Sequence, residues 1–158
     1  MTIRPLISSD YPELLALNNA HAAELSLLTE ESFAHWVSVS FLTMRAEAHP
    51  AFLLAFEQNA PYTSPNFLWF QQRMPRFVYV DRIVVGAAAR GLGLARILYQ
   101  DLFLKAKSAS HDRIVCEVNS NPPNPGSDAF HAALGFTVVG EAYVESRGKS
   151  VRYLQRIL

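Results

Sequence analysis

The sequence predicts a mixed α/β fold, and two observations carry that prediction. Runs of β-branched and aromatic residues alternate with helical stretches in the order β-α-α-β-β-β-α-β-α-β-β, with no internal repeat. The chain has 158 residues, half of them apolar, which is enough for one domain over residues 1–158 with its own core.

The N-terminal half contains three predicted strands and two predicted helices. The first helix is predicted to begin at Asp10, with Pro12 in its first turn. The second helix, over residues 30–39, places Phe33, Trp36 and Val37 on one face. The strands are predicted at residues 2–6, 41–46 and 51–56.

Residues 59–76 are rich in proline and aromatic side chains, which predicts a long loop. Within it, Trp69 and Phe70 are candidates either for the wall of an acceptor pocket or for a seal over the core. Residues 77–85 follow as the strongest predicted strand of the chain.

The C-terminal half continues with helices and strands in alternation. A helix begins after Gly93 and carries an apolar stripe. The later elements are a strand at 113–119, a short helix from Ser127 or Asp128 to Leu134, and an antiparallel pair at 136–144 and 151–158.

Charge excludes some classes of function. Fourteen basic and fourteen acidic residues balance, whereas nucleic-acid-binding domains are usually strongly basic, so we expect no nucleic-acid partner. The balance hides a split, since residues 1–60 sum to −5 and residues 61–158 to +5. The split has two interpretations: two solvated faces of opposite charge that attract each other, or two ligand sites of opposite charge preference. Five arginines lie between Gln71 and Arg96, so on the second interpretation the basic half faces an anionic ligand and the acidic half admits a cationic one.

Cys116 is the only cysteine, which excludes an intrachain disulfide and a cysteine-rich metal site. It alternates with apolar neighbours and is predicted to lie in the core. His21, His35, His49 and His111 lack metal-ligand spacing and are predicted at the surface, so no metal site is expected. No apolar run approaches the length of a membrane span, and a reducing cytoplasmic setting is expected.

A glycine-rich turn between the strongest strand and the following helix is the main candidate for a ligand site. Gly91 and Gly93 allow the backbone to approach a ligand closely, and a helix N-terminus favours an anion. Arg90 and Arg96 add positive charge on either side. The turn therefore predicts a phosphate or pyrophosphate site, with a purely structural turn as the alternative.

Two familiar phosphate-binding motifs do not fit this turn. A Walker A loop requires Lys and Ser or Thr after its second glycine, but Leu92 and Gly93 follow Gly91. A Rossmann fingerprint requires a third glycine where Arg96 stands.

The segment Arg90-x-x-Gly93-x-Ala95 resembles the Arg/Gln-x-x-Gly-x-Gly/Ala signature of the GCN5-related N-acetyltransferase (GNAT) superfamily. Residues 79–85, Glu117-Val-Asn119, Asn124 and the segment 130–136 resemble that family's further motifs, in order and at family spacing. The ending PPNPGSDAFHAALGF resembles a bacterial group of predicted acetyltransferases within it.

The resemblance implies a twisted, mostly antiparallel sheet in which parallel strands 4 and 5 splay apart, flanked by helices. It implies acetyl-CoA as cofactor, a small-molecule or peptide amine as acceptor, and direct attack by the amine on the thioester; it leaves a homodimer open. Asn124 would lie near the pantetheine arm. The implied cofactor-binding residues are Ile83, Val84, Val85, Arg90, Gly91, Leu92, Gly93, Leu94, Ala95, Arg96, Asn124 and His131.

Amine acetylation requires a base, because an amine with a pKa near 10 is protonated at pH 7. Alternation along a strand would place Tyr79, Asp81, Ile83 and Val85 on one face and Arg82 on the other. Asp81 is therefore the candidate base and Tyr79 a candidate positioning group. A structural Asp81–arginine pair is the alternative, and Glu117 and Asn119 are weaker candidates.

His131 stands where many relatives carry a tyrosine that protonates the leaving thiolate. An imidazole could donate that proton, or it could be a structural histidine. This departure keeps a second function open, namely a regulatory module that binds an acyl-CoA with little turnover.

Overall fold

The computed structural model describes residues 2–21, 25 and 27–158. Seven strands form one sheet with the order β1-β2-β3-β4-β5-β7-β6. The strands are β1 Ile3–Pro5, β2 Leu42–Ala46, β3 Ala51–Glu57, β4 Val78–Val85, β5 Arg113–Asn121, β6 Thr137–Val144 and β7 Lys149–Ile157. The helices are α1 Tyr11–Ala20, α2 Glu30–Ser38, α3 Pro65–Gln71, α4 Leu94–Ser108 and α5 Pro125–Ala133.

Every neighbouring strand pair is antiparallel except β4 and β5, which are parallel. The predicted mixed α/β fold with a mostly antiparallel sheet and parallel fourth and fifth strands is confirmed. Among the described residues, no helix is both long and apolar enough to cross a membrane.

Two apolar clusters cover the two faces of the sheet. Helix α4 packs on one face through Leu98 and Leu102, together with Val80 of β4 and Cys116 of β5. Helices α1, α2 and α3 supply the other face, which includes Phe33 and Phe67. The apolar stripes predicted for α2 and α4 therefore lie against the sheet, as their spacing indicates.

The predicted loop at 59–76 is wrong, because the chain forms helix α3 within it. Pro65 occupies the first turn of this helix, where a missing N–H costs nothing. Phe67 and Phe70 are fully buried beneath the helix. The prolines that suggested a loop instead delimit a short helix, which tertiary packing stabilises.

Candidate active site

A cleft opens where β4 and β5 separate. Their parallel register covers only Val78–Ile114 and Tyr79–Val115, although β5 continues to pair with β7 as far as Asn121. The cleft has a volume of about 140 Å³, and the two strands together with α4 and α5 line it. A second groove of about 320 Å³ shares Leu25, Ile83 and Ser127 with the cleft, and it leads past Val84 and Val85 to Arg90.

A β-bulge in β4 changes which side chains share a face. Leu54 of β3 pairs with Arg82, but its neighbour Ala55 pairs with Val80, so Asp81 is an extra residue in β4. An extra residue reverses the alternation beyond it. The predicted shared face is therefore wrong: Tyr79 lies with Val84 on the α3 side, while Ile83 and Val85 lie on the α4 side.

Asp81 is held in a buried network. Its carboxylate accepts a hydrogen bond from the Tyr62 hydroxyl at 2.5 Å and forms an ion pair with Arg82 Nε at 2.6 Å. Arg82 also donates to Asn18 Oδ1 of α1 at 2.8 Å. The structural alternative, an Asp81–arginine pair, is what the structure contains, although Asp81 also lines the cleft.

Glu117 presents the chemically distinctive carboxylate of the cleft. The Tyr79 hydroxyl lies 2.8 Å from its Oε1 and 2.9 Å from its Oε2, and Asn66 Nδ2 donates to Oε1 at 3.0 Å. Burial raises the pKa of Glu117 to about 7, against the lowering effect of the Tyr79 hydrogen bond. A carboxyl group in that range exchanges its proton near neutral pH.

His131 of α5 is engaged on both ring nitrogens. Its Nδ1 lies 2.7 Å from the Ser127 carbonyl oxygen, which can only accept, so Nδ1 carries the proton. Its Nε2 then accepts from the Tyr99 hydroxyl at 2.9 Å. Burial lowers the pKa of His131, so the ring is neutral at pH 7. Its single N–H donates a hydrogen bond to the Ser127 backbone carbonyl.

The glycine-rich turn offers backbone donors without obstruction. Gly91 and Gly93 have φ values of 80° and 79°, in the left-handed region that glycine adopts without strain. Residues 90–93 are exposed, and a Cβ at either glycine would meet nothing within 4 Å. No side chain in the described part of the chain caps α4, whose first N–H groups, at Leu94, Ala95 and Arg96, have no partner within the helix.

Only part of the predicted arginine cluster lies at this turn. Arg90 and Arg96 are exposed beside it, and Arg90 donates to His21 Nε2 at 3.3 Å. Arg82, in contrast, is buried with Asp81, and Arg73 lies over the Trp69 ring at 4.2 Å. The excess of positive charge in this part of the sequence is therefore not all directed at one ligand.

The acidic N-terminal half is partly neutralised within itself. Asp10 is bound by both Arg4 and Arg45, at 2.7 and 2.9 Å, and Arg45 also binds Glu13 at 3.0 Å. The Arg4 hydrogen bond holds the pKa of the Asp10 carboxyl well below its usual range. These acids stabilise the start of α1 against the sheet, which weakens the expectation that they attract a cationic acceptor.

Two other single-residue predictions have different outcomes. Cys116 is buried, as predicted, and burial raises the pKa of its thiol well above the usual value. His111 is buried rather than at the surface, with its Nε2 2.8 Å from Glu57 Oε2. It follows the end of α4 closely, where its N–H donates to the Ala106 carbonyl, and this places its ring inside.

Asn124 is the N-cap of α5, where its Oδ1 accepts from the Ser127 N–H at 3.2 Å, and it lines the cleft. The residues that sequence reasoning missed are Asn66 and Tyr99, whose roles depend on contacts across the fold. No local pattern marks either of them. The alternating pattern of β5 could have favoured Glu117, because it is a carboxylate between the buried Cys116 and Val118.

Comparison with known proteins identifies a family for this chain. A family model described as the acetyltransferase (GNAT) family matches residues 18–136. No curated protein sequence is significantly similar to the chain.

Solved structures share the fold. A ribosomal-protein-alanine N-acetyltransferase from Brucella melitensis is 22% identical, with a TM-score of 0.77 over 100% of both chains. The Salmonella typhimurium protein yncA, solved with its cofactor acetyl-CoA, is 19% identical, with a TM-score of 0.74 over 100% of this chain and 94% of that one. Naa20 of Chaetomium thermophilum, in complex with a bisubstrate analogue, is 17% identical, with a TM-score of 0.73 over 100% and 87%.

At these identities the structural likeness shows a shared fold, whereas the family model matches more than half of the sequence and includes the glycine-rich turn. The match confirms the resemblance read from residues 79–136 and places the protein among the N-acetyltransferases, whose cofactor is acetyl-CoA. The chain belongs to the acetyltransferase (GNAT) family.

Proposed function

We propose that the chain transfers an acetyl group from acetyl-CoA to a primary amine within a ternary complex, with Glu117 as the general base. The observation that carries this proposal is the Glu117 carboxyl, which lines the cleft with a pKa raised to about 7. A base with a pKa near the working pH combines a useful ionised fraction with sufficient basicity.

The described residues fit the cofactor. The amides of Gly91, Leu92, Gly93, Leu94, Ala95 and Arg96 would hold the pyrophosphate, because the turn is exposed and none of the described side chains caps it. Arg90 would add charge beside them. The backbone of Ile83, Val84 and Val85 lies along the second groove, where it would bind the pantetheine arm, and Asn124 and His131 line the adjoining cleft.

Acetyl-CoA supplies a thioester carbonyl that a neutral amine can attack and a thiol as the leaving group. Glu117 would accept the amine proton at its carboxylate. Tyr79 would orient that carboxylate, and a β4 amide, that of Val84 or Val85, would donate to the carbonyl oxygen.

The hydrogen bonds of His131 and Asp81 favour the structural alternative for each residue. We propose that His131 anchors α5 to α4 rather than protonating the thiolate, since its single proton is donated to Ser127. Because a thiol has a pKa of about 8.5, its thiolate leaves with little help from an acid. Asp81 would brace β4 through Arg82.

A substitution at Glu117 tests the proposal. Glu117→Gln should lower kcat/KM for thiol release by roughly 10²–10⁴-fold across a panel of primary amines, while the Kd for CoA stays unchanged. Glu141→Gln, in an exposed position of β6, is the matched control. Full activity of Glu117→Gln would overturn the assignment, and CoA binding without thiol release by the unsubstituted protein on any amine would favour the acyl-CoA-binding module.

Glu117→Gln should also change how the stability of the protein depends on pH. The pKa of Glu117 is raised from 4.5 to about 7 by folding, so the native state binds more protons than the unfolded state in this interval. This contribution to stability is fully present below pH 4.5 and is lost as the pH rises through 7. Glu117→Gln should therefore gain stability relative to the unsubstituted protein between pH 5 and 8, by up to roughly 3 kcal/mol in denaturant unfolding.

A further inference from the structure

The connection between β3 and β4 is longer than their pairing requires. Antiparallel neighbours can be joined by a two-residue hairpin, yet residues 58–77 separate them. The excursion contains α3, which packs across the sheet to reach β5. Its burial of Phe67 and Phe70 explains its stability but not the position of its polar residue Asn66.

Asn66 is buried and makes two side-chain hydrogen bonds of opposite kind. Its Nδ2 donates to Glu117 Oε1 at 3.0 Å, and its Oδ1 accepts from the Tyr153 hydroxyl at 2.9 Å. The reversed amide would place two acceptors together at Glu117 and would leave the carboxylate without this donor. The ionised carboxylate, which can only accept, therefore selects the Nδ2 end of the amide, and the Tyr153 hydroxyl anchors the other end by donating to Oδ1.

Tyr153 is itself firmly held. Its ring stacks on Trp69 with centroids 4.1 Å apart and planes 15° apart, and Phe70 meets its edge at 5.2 Å. Trp69 lies against β6 at Gly140, where a Cβ would come within 2.6 Å of the indole ring. Helix α3 thus supplies both the amide and the aromatic clamp on its partner.

The two carboxylate oxygens of Glu117 differ in the hydrogen bonds that they accept. Among the described side-chain donors, Asn66 and Tyr79 both contact Oε1, whereas Oε2 has only the longer contact to Tyr79. A carboxylate oxygen has two acceptor positions, so Oε2 retains the capacity to receive a proton.

We propose that Asn66 is a positioning residue, which orients the Glu117 carboxylate so that Oε2 receives the proton of the amine, and which Tyr153 holds in that orientation. The role as base rests on the proposed function, but the orientation does not. A donated hydrogen bond favours the ionised carboxylate, so loss of Asn66 should make Glu117 bind its proton more tightly.

The other groups that act on this carboxyl must be kept in place during the test. Asp81 raises the pKa of Glu117 and Arg147 of the β6–β7 turn lowers it. The titratable and charged groups facing it from the surrounding elements are Tyr79, Asp81, Tyr99, Cys116, Arg147 and Tyr153.

The test follows Glu117 by two independent measurements. The first is a carboxyl ¹³C NMR titration of the cofactor-free protein, assigned against Glu117→Gln, and the second is the acid limb of kcat/KM. Asn66→Ala should move both midpoints upward by about one pH unit. Asn66→Asp, which keeps the shape but adds a like charge, should move them further, and Tyr153→Phe should move them in the same direction by less.

Leu68→Ala is the matched control, because it weakens α3 on a half-buried position without touching Glu117. It should lower the melting temperature and leave both midpoints in place. Unchanged midpoints in Asn66→Ala and Tyr153→Phe would overturn the positioning role. A shift in the NMR midpoint without a shift in the kinetic one would support the orientation of Glu117 by Asn66 and overturn the role of Glu117 as base.

Discussion

The candidate site at one end of β4 is made of backbone groups, and the candidate site at the other end is made of side chains. At its C-terminal end, the candidate pyrophosphate site consists of exposed backbone, in which two glycines and a helix N-terminus provide the donors. At its N-terminal end, the candidate base site consists of buried side chains that are far apart in the sequence. Tyr79 and Glu117 are separated by 38 positions, Asn66 and Glu117 by 51, and Asn66 and Tyr153 by 87, and a hydrogen bond joins each pair. A backbone site requires only a local sequence, whereas a side-chain network requires the whole fold.

The largest expected effect tests the backbone end. Gly93→Asp should raise the Kd for CoA by at least about 100-fold, because a carboxylate at the helix N-terminus repels the anion and competes for the amides. Isothermal titration calorimetry measures it. Gly148→Asp is the control, since Gly148 also has a positive φ of 61° and open space, but lies in the β6–β7 turn. Equal affinities in the two variants would contradict the pyrophosphate assignment.

The next effect separates the two carboxylates of the cleft. Asp81→Asn should lower the free energy of unfolding by about 2 kcal/mol, because it removes a charged partner of the buried Arg82. Its kcat should change by less than about tenfold, in contrast to Glu117→Gln. Chemical denaturation and steady-state kinetics on the same preparation give both values. A loss of kcat as large as that of Glu117→Gln, in folded protein, would restore Asp81 as the candidate base.

The smallest effect concerns His131. His131→Asn should cost about 1–2 kcal/mol of stability through loss of the Tyr99 hydrogen bond and should change kcat less than about threefold. Tyr99→Phe removes the same bond from the other side, so the double variant should be little worse than either single one. A 100-fold fall in kcat for His131→Asn alone would identify the imidazole as an acid.

Much of the fold follows from the sequence because its elements have strong local signals. Strand β4 is a run of β-branched and aromatic residues, and α4 begins directly after Gly93 with a regular apolar stripe. Helix α3 could not be predicted in the same way. It has only seven residues between proline-rich segments, and its stability comes from Phe67 and Phe70 packing against strands distant in sequence.

Part of the candidate site could likewise be predicted from the sequence, and part of it could not. The glycine-rich turn and the family motifs at 79–136 are continuous in sequence, so they could be identified before the structure. The sequence could not show that Tyr79 and Ile83 lie on opposite faces of the sheet, because the bulge at Asp81 depends on the pairing of β4 with β3. Glu117 was only a weak candidate, since its proton affinity arises from burial and from hydrogen bonds that no spacing predicts.

The sequence by itself determined the α/β class, the family and the exposed backbone turn, because each is set by residues close together in the chain. The tertiary structure alone decided the surroundings of the two carboxylates in the cleft. Asp81 and Glu117 are both acids on neighbouring strands, but Asp81 is paired with a guanidinium and Glu117 is buried against neutral donors. Each carboxylate has a partner far from it in the chain, so its surroundings depend on the packed fold.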